Sequence, residues 1–141
     1  MQLQGFRFYL CKVNEDEQMK FHWNMPGTLR PYYQKELQEY QACLEQGQLA
    51  GVWRHLKRAH ILGQPYPKEH TVAHGKMLAF GVRTKNTREI IGQLPRLLVG
   101  GIKSWAGTIP VGNTGGANVS PIKPMPIPAN LQEVIRATAN H

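Results

Sequence analysis

Acidic residues are scarce in this 141-residue chain, with nine Asp and Glu against 17 Lys and Arg, a formal net charge of +8. Such a balance directs attention to anionic partners, nucleic acid or a membrane surface, although surplus Lys and Arg more commonly just solvate a small protein. Cysteine is nearly absent. Cys11 and Cys43 cannot make a disulfide framework, and neither belongs to a CxxC pair of the zinc or redox kind. No apolar run approaches the roughly 20 residues that cross a bilayer. The first residues lack the charged start, long apolar stretch and small-residue cleavage site of a secretory signal. These absences lead us to expect a cytoplasmic, non-membrane protein in which Asn118-Val-Ser120 carries no glycan.

Several motifs are also missing. Thr71 stands where the HExxH of a metalloprotease needs glutamate, and VGNTGGANVS lacks both the Gly-Lys-Ser/Thr of a phosphate loop and the GxGxxG of a dinucleotide fold. Ser104 and Ser120 sit in no nucleophile elbow, and no pair of carboxylates stands ready for acid–base work, so enzymatic catalysis has the least support. No RNP motif or zinc finger accompanies Arg54, Lys57, Arg58, Lys68, Lys76, Arg83, Lys85 and Arg88, so nucleic-acid binding rests on a basic face alone.

What is present reads as helix. Residues 1–24 are expected to be a poorly defined N-terminal extension, and residues 25–141 a single helical domain. Tyr33, Leu37, Tyr40 and Leu44 recur at spacings of four, three and four, which places them on one helical face that Gly47 ends. A second helix from about Leu49 to Leu62 presents Val52, Trp53, Leu56, Ala59 and His60. The Gly63-Gln-Pro-Tyr-Pro67 turn stops it, and a third helix from about Lys68 to Arg83 carries Ala73, Met77 and Phe80. Asn86 and Glu89 read as a capping box opening a fourth helix, with Ile90, Ile91, Leu94, Leu97 and Leu98 facing inward and Pro95 kinking or dividing it.

An echo between residues 52–56 and 90–94, 38 positions apart, suggests two antiparallel, tetratricopeptide-like hairpins. From about residue 100, glycine and proline exclude long regular structure. Trp105, Ile109, Val111, Ile122, Met125 and Ile127 are the apolar anchors that pack this segment back on the helices. A last short helix is expected around Asn130, with Glu133 as reciprocal cap and Leu131, Val134 and Ile135 inward.

The chemistry converges on the turn between the second and third helices. His70 and His74 are one helical turn apart and share a face, while His60 falls on the inward side of the preceding helix. His55 points about 100° away from His60's neighbours and is the poorer candidate. Three imidazoles suit zinc, copper, nickel or iron and leave one coordination position open, for which Glu36, Cys43 and Glu69 are additional candidates. The same spacing also fits histidines that border a core and donate to backbone carbonyls, and periodicity does not separate the two readings.

On AHILGQ (59–64), HTVAH (70–74), PVGNTGGANVS (110–120) and PMPIP (124–128), the chain resembles a bacterial family of small proteins that is a domain of unknown function. The likeness runs from about Met25 to Ile135. It implies a cytosolic bacterial protein of a kind sometimes encoded among metal-resistance genes, which favours the metal reading. The expected architecture is thus all-α, two hairpins covered by a Gly/Pro-rich C-terminal segment, with a metal at His60, His70 and His74. The competing expectation is a tetratricopeptide-like module that binds a protein and no metal.

Overall fold

The computed structural model describes residues 22–106, 111–121 and 123–139. The described residues are all-helical: α1 (Arg30–Glu45), α2 (Leu49–Gly63), α3 (Pro67–Arg83), α4 (Thr87–Ala106) and α5 (Ala129–Ala139). Each of the first three helices packs on the next in sequence, and α5 lies against α2. Among the described residues no helix is long and apolar enough to cross a membrane.

The helices begin and end where backbone chemistry dictates. Pro31 and Pro67 stand in the first turns of α1 and α3, where the missing N–H has no intrahelical partner to lose. Gly47, at φ +69°, closes α1: its N–H donates to the Leu44 carbonyl and the next N–H, of Gln48, to Cys43. α3 ends in the same way on Lys85, a side-chain-bearing residue at φ +55°, with Asn86 N–H donating back to Gly81. Asn86 then caps α4 by accepting the Glu89 N–H at 3.1 Å. Only half of the expected capping box forms, because the Asn86 N–H is already spent on α3 and the Glu89 carboxylate turns inward.

Two apolar clusters flank the middle of the molecule. Met25, Leu29, Tyr33, Leu62, Tyr66 and Leu131 make one, and Tyr40, Val52, Leu56, Met77 and Phe80 another. Leu56, Leu62 and Met77 are fully enclosed, each stabilising the fold by about 1.5–3 kcal/mol. A Cβ at Gly51 would meet the Cys43 sulfur at 2.6 Å, so glycine there lets α1 and α2 approach closely. The six residues of AHILGQ are all buried, wrapping the end of α2 on every side. Tyr33 fastens α1 to α3 by donating its hydroxyl to the Glu69 carbonyl at 3.0 Å, and burial, then the Glu69 charge, push its pKa up.

α4 departs from its expected orientation. Ile91, Leu94 and Leu98 are exposed, and Glu89 and Gln93 are the buried residues among the described side chains of α4, so this part of the helix turns a polar pair inward and an apolar stripe outward. It also runs through Pro95 as one helix. At α5 the N–H groups of Leu131 and Gln132 donate to Pro128, and the Asn130 side chain accepts from Arg58 instead of pairing with Glu133. Leu131 is buried, as expected of the inward face. His22 lies within the expected extension, where its N–H donates to Pro65 and its ring approaches Tyr66. Residues 1–21 and the Trp105, Ile109 and Ile122 side chains fall outside the described residues.

Candidate metal centre

The turn between α2 and α3 folds His60 back onto His70 and His74, whose positions four apart bring both rings to one face of α3. The three Nε2 atoms form a triangle with sides of 2.9 Å (His60–His70), 3.1 Å (His60–His74) and 3.1 Å (His70–His74). The rings meet at steep angles, 55° to 72° between planes, so their edges point at a common centre instead of stacking. His60 and His74 are buried, and His70 is half-buried on the side towards solvent.

Hydrogen bonding fixes which nitrogen carries the proton on two of these rings. The Gln93 amide nitrogen lies 2.6 Å from the Glu89 carboxylate and 2.8 Å from the Gly115 carbonyl, neither of which donates. Its oxygen therefore faces His74, and at 2.6 Å from Nδ1 it requires an Nδ1–H. The Asn113 carbonyl, 2.8 Å from His60 Nδ1, imposes the same tautomer on that ring. In their neutral form these two imidazoles aim Nε2 lone pairs at one another. An N–H on His70 Nε2 supplies a single proton between two acceptors, so the neutral triad is short of positive charge at its centre.

The loop after α4 is built around this arrangement. Asn113 is 2 % exposed and holds three backbone groups with its side chain: the Ser120 and Lys123 carbonyls, each at 2.8 Å, and the Gly115 N–H at 2.9 Å. Its carbonyl is thereby fixed over His60. Gly115, at φ +77°, lies flat on the same ring, where a Cβ would stand 2.6, 2.7 and 2.8 Å from Cδ2, Nε2 and Cγ. Arg96 donates to the Gly115 and Val119 carbonyls, and the Glu89 carboxylate receives the Ala117 N–H.

Gly115→Ala combines a left-handed backbone with a clash on His60, for an expected loss of about 2–4 kcal/mol. Gly75→Ala, one residue beyond His74 but with nothing within 4 Å of its Cβ, is expected to be neutral or mildly stabilising. Urea unfolding of the two variants side by side checks the contrast.

Burial, and then the neighbouring His70 and His74, hold the His60 pKa well below its ordinary 6.5. The unfolded chain therefore takes up a proton that the folded chain refuses. Metal-free stability should be fully present above pH 6.5 and fall as pH drops from there towards the folded value. Urea midpoints measured between about pH 7.5 and about pH 5.5 should decline steadily. A flat profile would count against a neutral His60.

None of the three additional ligand candidates joins the triad. Glu36 pairs with His55 at 2.7 Å and Arg58 at 2.8 Å, which also gives His55 a place away from the triad. Cys43 faces Gln48 between α1 and α2, and Glu69 faces Arg30 at 3.4 Å. Among the described residues the triad is the one group of three or more potential ligands within mutual reach. Of the basic residues, Arg58 is committed to Glu36 and Asn130, and the Lys57 and Lys76 ammonium groups lie over the Trp53 and Tyr40 rings. Sequence reasoning missed Gln93, Asn113, Glu89 and Gly115, although Glu89 and Gln93 at i and i+4 were a readable polar pair on an otherwise apolar helix.

The family whose description reads "Protein of unknown function (DUF3703)" matches residues 27–135. Comparison with the curated proteins and with the solved structures gives no match.

Proposed function

We propose, for a chain that belongs to the DUF3703 family of unknown function, that it binds one divalent transition metal through His60, His70 and His74 and serves in metal homeostasis or resistance. The observation that carries this reading is the convergence of three Nε2 atoms within 3.1 Å, two of them on rings whose Nδ1 protons are already assigned. With metal–nitrogen bonds of about 2.0–2.1 Å, separations of 2.9–3.1 Å correspond to N–metal–N angles of about 90–100°. Such angles describe three neighbouring corners of a coordination polyhedron with further positions open. Zinc, copper, nickel and iron all accept imidazole. A cation at the centre also resolves the opposed lone pairs, and the Gln93 and Asn113 partners are the outer-shell contacts that orient metal-bound histidines. On this reading the Gly/Pro-rich segment caps the centre, and the roles of the three histidines are those of ligands.

Metal binding to the folded chain alone stabilises it by mass action, about 2.7 kcal/mol at a hundredfold excess over Kd. The expected rise in Tm is on the order of 10 °C for a chain of this size, and it should vanish in a His70→Ala/His74→Ala double variant. No shift with any of the four metals would defeat the reading.

One observation favours a second reading, a tetratricopeptide-like pair of antiparallel hairpins that binds a protein partner. Ile91, Leu94 and Leu98 are 68 %, 47 % and 78 % exposed and share one face of α4. Replacing all three by serine separates the readings, because metal uptake should be untouched.

A further inference from the structure

Three neutral imidazoles bring no negative charge to a divalent ion, and the groups behind them bring none either. Gln93 and the Asn113 carbonyl, which hold His74 and His60, are neutral. Glu89, the carboxylate bonded to Gln93, reaches the triad through that amide. Its charge is opposed by Arg96, which lies on the same helix, donates to the same Gly115 carbonyl as Gln93, and adds positive potential at His60. One carboxylate and one guanidinium cancel. A divalent ion would then sit with its charge uncompensated beside rings that are 2 % and 4 % exposed, where an unpaired charge is costly. Protein donors do not relieve this: Glu36 and Cys43 are engaged elsewhere, Glu69 turns one oxygen to Arg30 and buries the other without a hydrogen-bond partner, and no fourth ligand atom joins the triad among the described residues.

From this charge count, and resting on the metal reading above, we infer that the centre takes a small exogenous monoanion as its next ligand and is an anion-binding metal site. His70 is the half-buried member of the cluster, and such a ligand would enter on its side. Three protein ligands with an open position is the arrangement of sites that exchange a ligand, as opposed to closed structural ones. Glu89 and Arg96 set its affinity in opposite senses, the first by repelling the anion and the second by attracting it.

The test loads the 141-residue chain with Co(II) and titrates it with sodium azide, following the visible absorption of the cobalt. The expected result is a change that saturates at one azide per cobalt. Affinity should fall roughly 3–10-fold in Arg96→Gln and rise by a similar factor in Glu89→Gln. Opposite shifts identify charge as the cause, because structural damage would weaken both variants. A cobalt spectrum indifferent to saturating azide, with the shell closed by a sulfur at about 2.3 Å or a further carboxylate oxygen, would overturn the inference and leave the metal site standing. Failure to bind Co(II) at all would overturn both.

Discussion

His74→Ala should weaken metal binding by about two to three orders of magnitude. Structural zinc binding releases about 10–16 kcal/mol over a complete ligand set, so one imidazole accounts for roughly 3–4 kcal/mol. His74 is the informative choice because its loss leaves His60 on Asn113 and the loop bond from Gln93 to Gly115 in place. Competitive titration against a chromogenic chelator gives the affinity. Equal affinity in the variant and the parent would mean that the metal, if bound, sits elsewhere. His74→Gln offers a partial control, since its amide fills much of the ring's volume.

Gln93→Leu carries the second large effect, and it acts on both stability and site. Gln93 is fully buried and hydrogen-bonds to Glu89, His74 and Gly115 together. Leucine matches its size but abandons a carboxylate, an imidazole N–H and a carbonyl in a closed space. The carboxylate keeps the Ala117 N–H and the carbonyl keeps Arg96, so the loss of the three Gln93 bonds should cost about 1–3 kcal/mol. Releasing His74 Nδ1 should lower metal affinity about 10–100-fold as well, as is usual when an orienting contact behind a ligand is removed. Gln93→Glu discriminates between lost packing and lost polarity: it keeps an acceptor for His74 but sets a second carboxylate against Glu89, so folding should suffer more than ligand orientation. Chemical unfolding with and without metal separates the two consequences.

These two residues also show what the sequence makes legible. Helical periodicity located α1 to α3, and the i, i+4 spacing of His70 and His74 with a tight turn behind them was enough to bring His60 into the cluster. Those relations are local, spanning at most 14 residues. α4 was read wrongly in phase for an instructive reason. Counting apolar residues points Ile91, Leu94 and Leu98 inward, yet the groups α4 packs against are an imidazole N–H and a glycine carbonyl that need polar partners. Those needs arise from residues 19 and 22 positions away in the chain, and no local pattern encodes them. The capping box misled in the same way, since Glu89 satisfies Gln93 and the Ala117 N–H instead of its own helix start.

The glycine-rich string was legible as a packing loop but not for its purpose. Asn113 bonds to His60 across 53 residues, and Gly115 is glycine because a ring lies where its Cβ would be. VGNTGG is thus the partner strip of a histidine on another helix, which composition alone could report only as turn-forming.

The central claim is that the three histidines hold a metal, and X-ray absorption on tag-free protein, with elemental analysis of the same sample, tests it most directly. The expected result is one zinc, copper, nickel or iron per chain, with three imidazole nitrogens at about 2.0–2.1 Å and loss of the metal in the His70→Ala/His74→Ala variant. A folded protein that takes up no stoichiometric amount of any of these metals, or one whose metal is retained without His70 and His74, would contradict it.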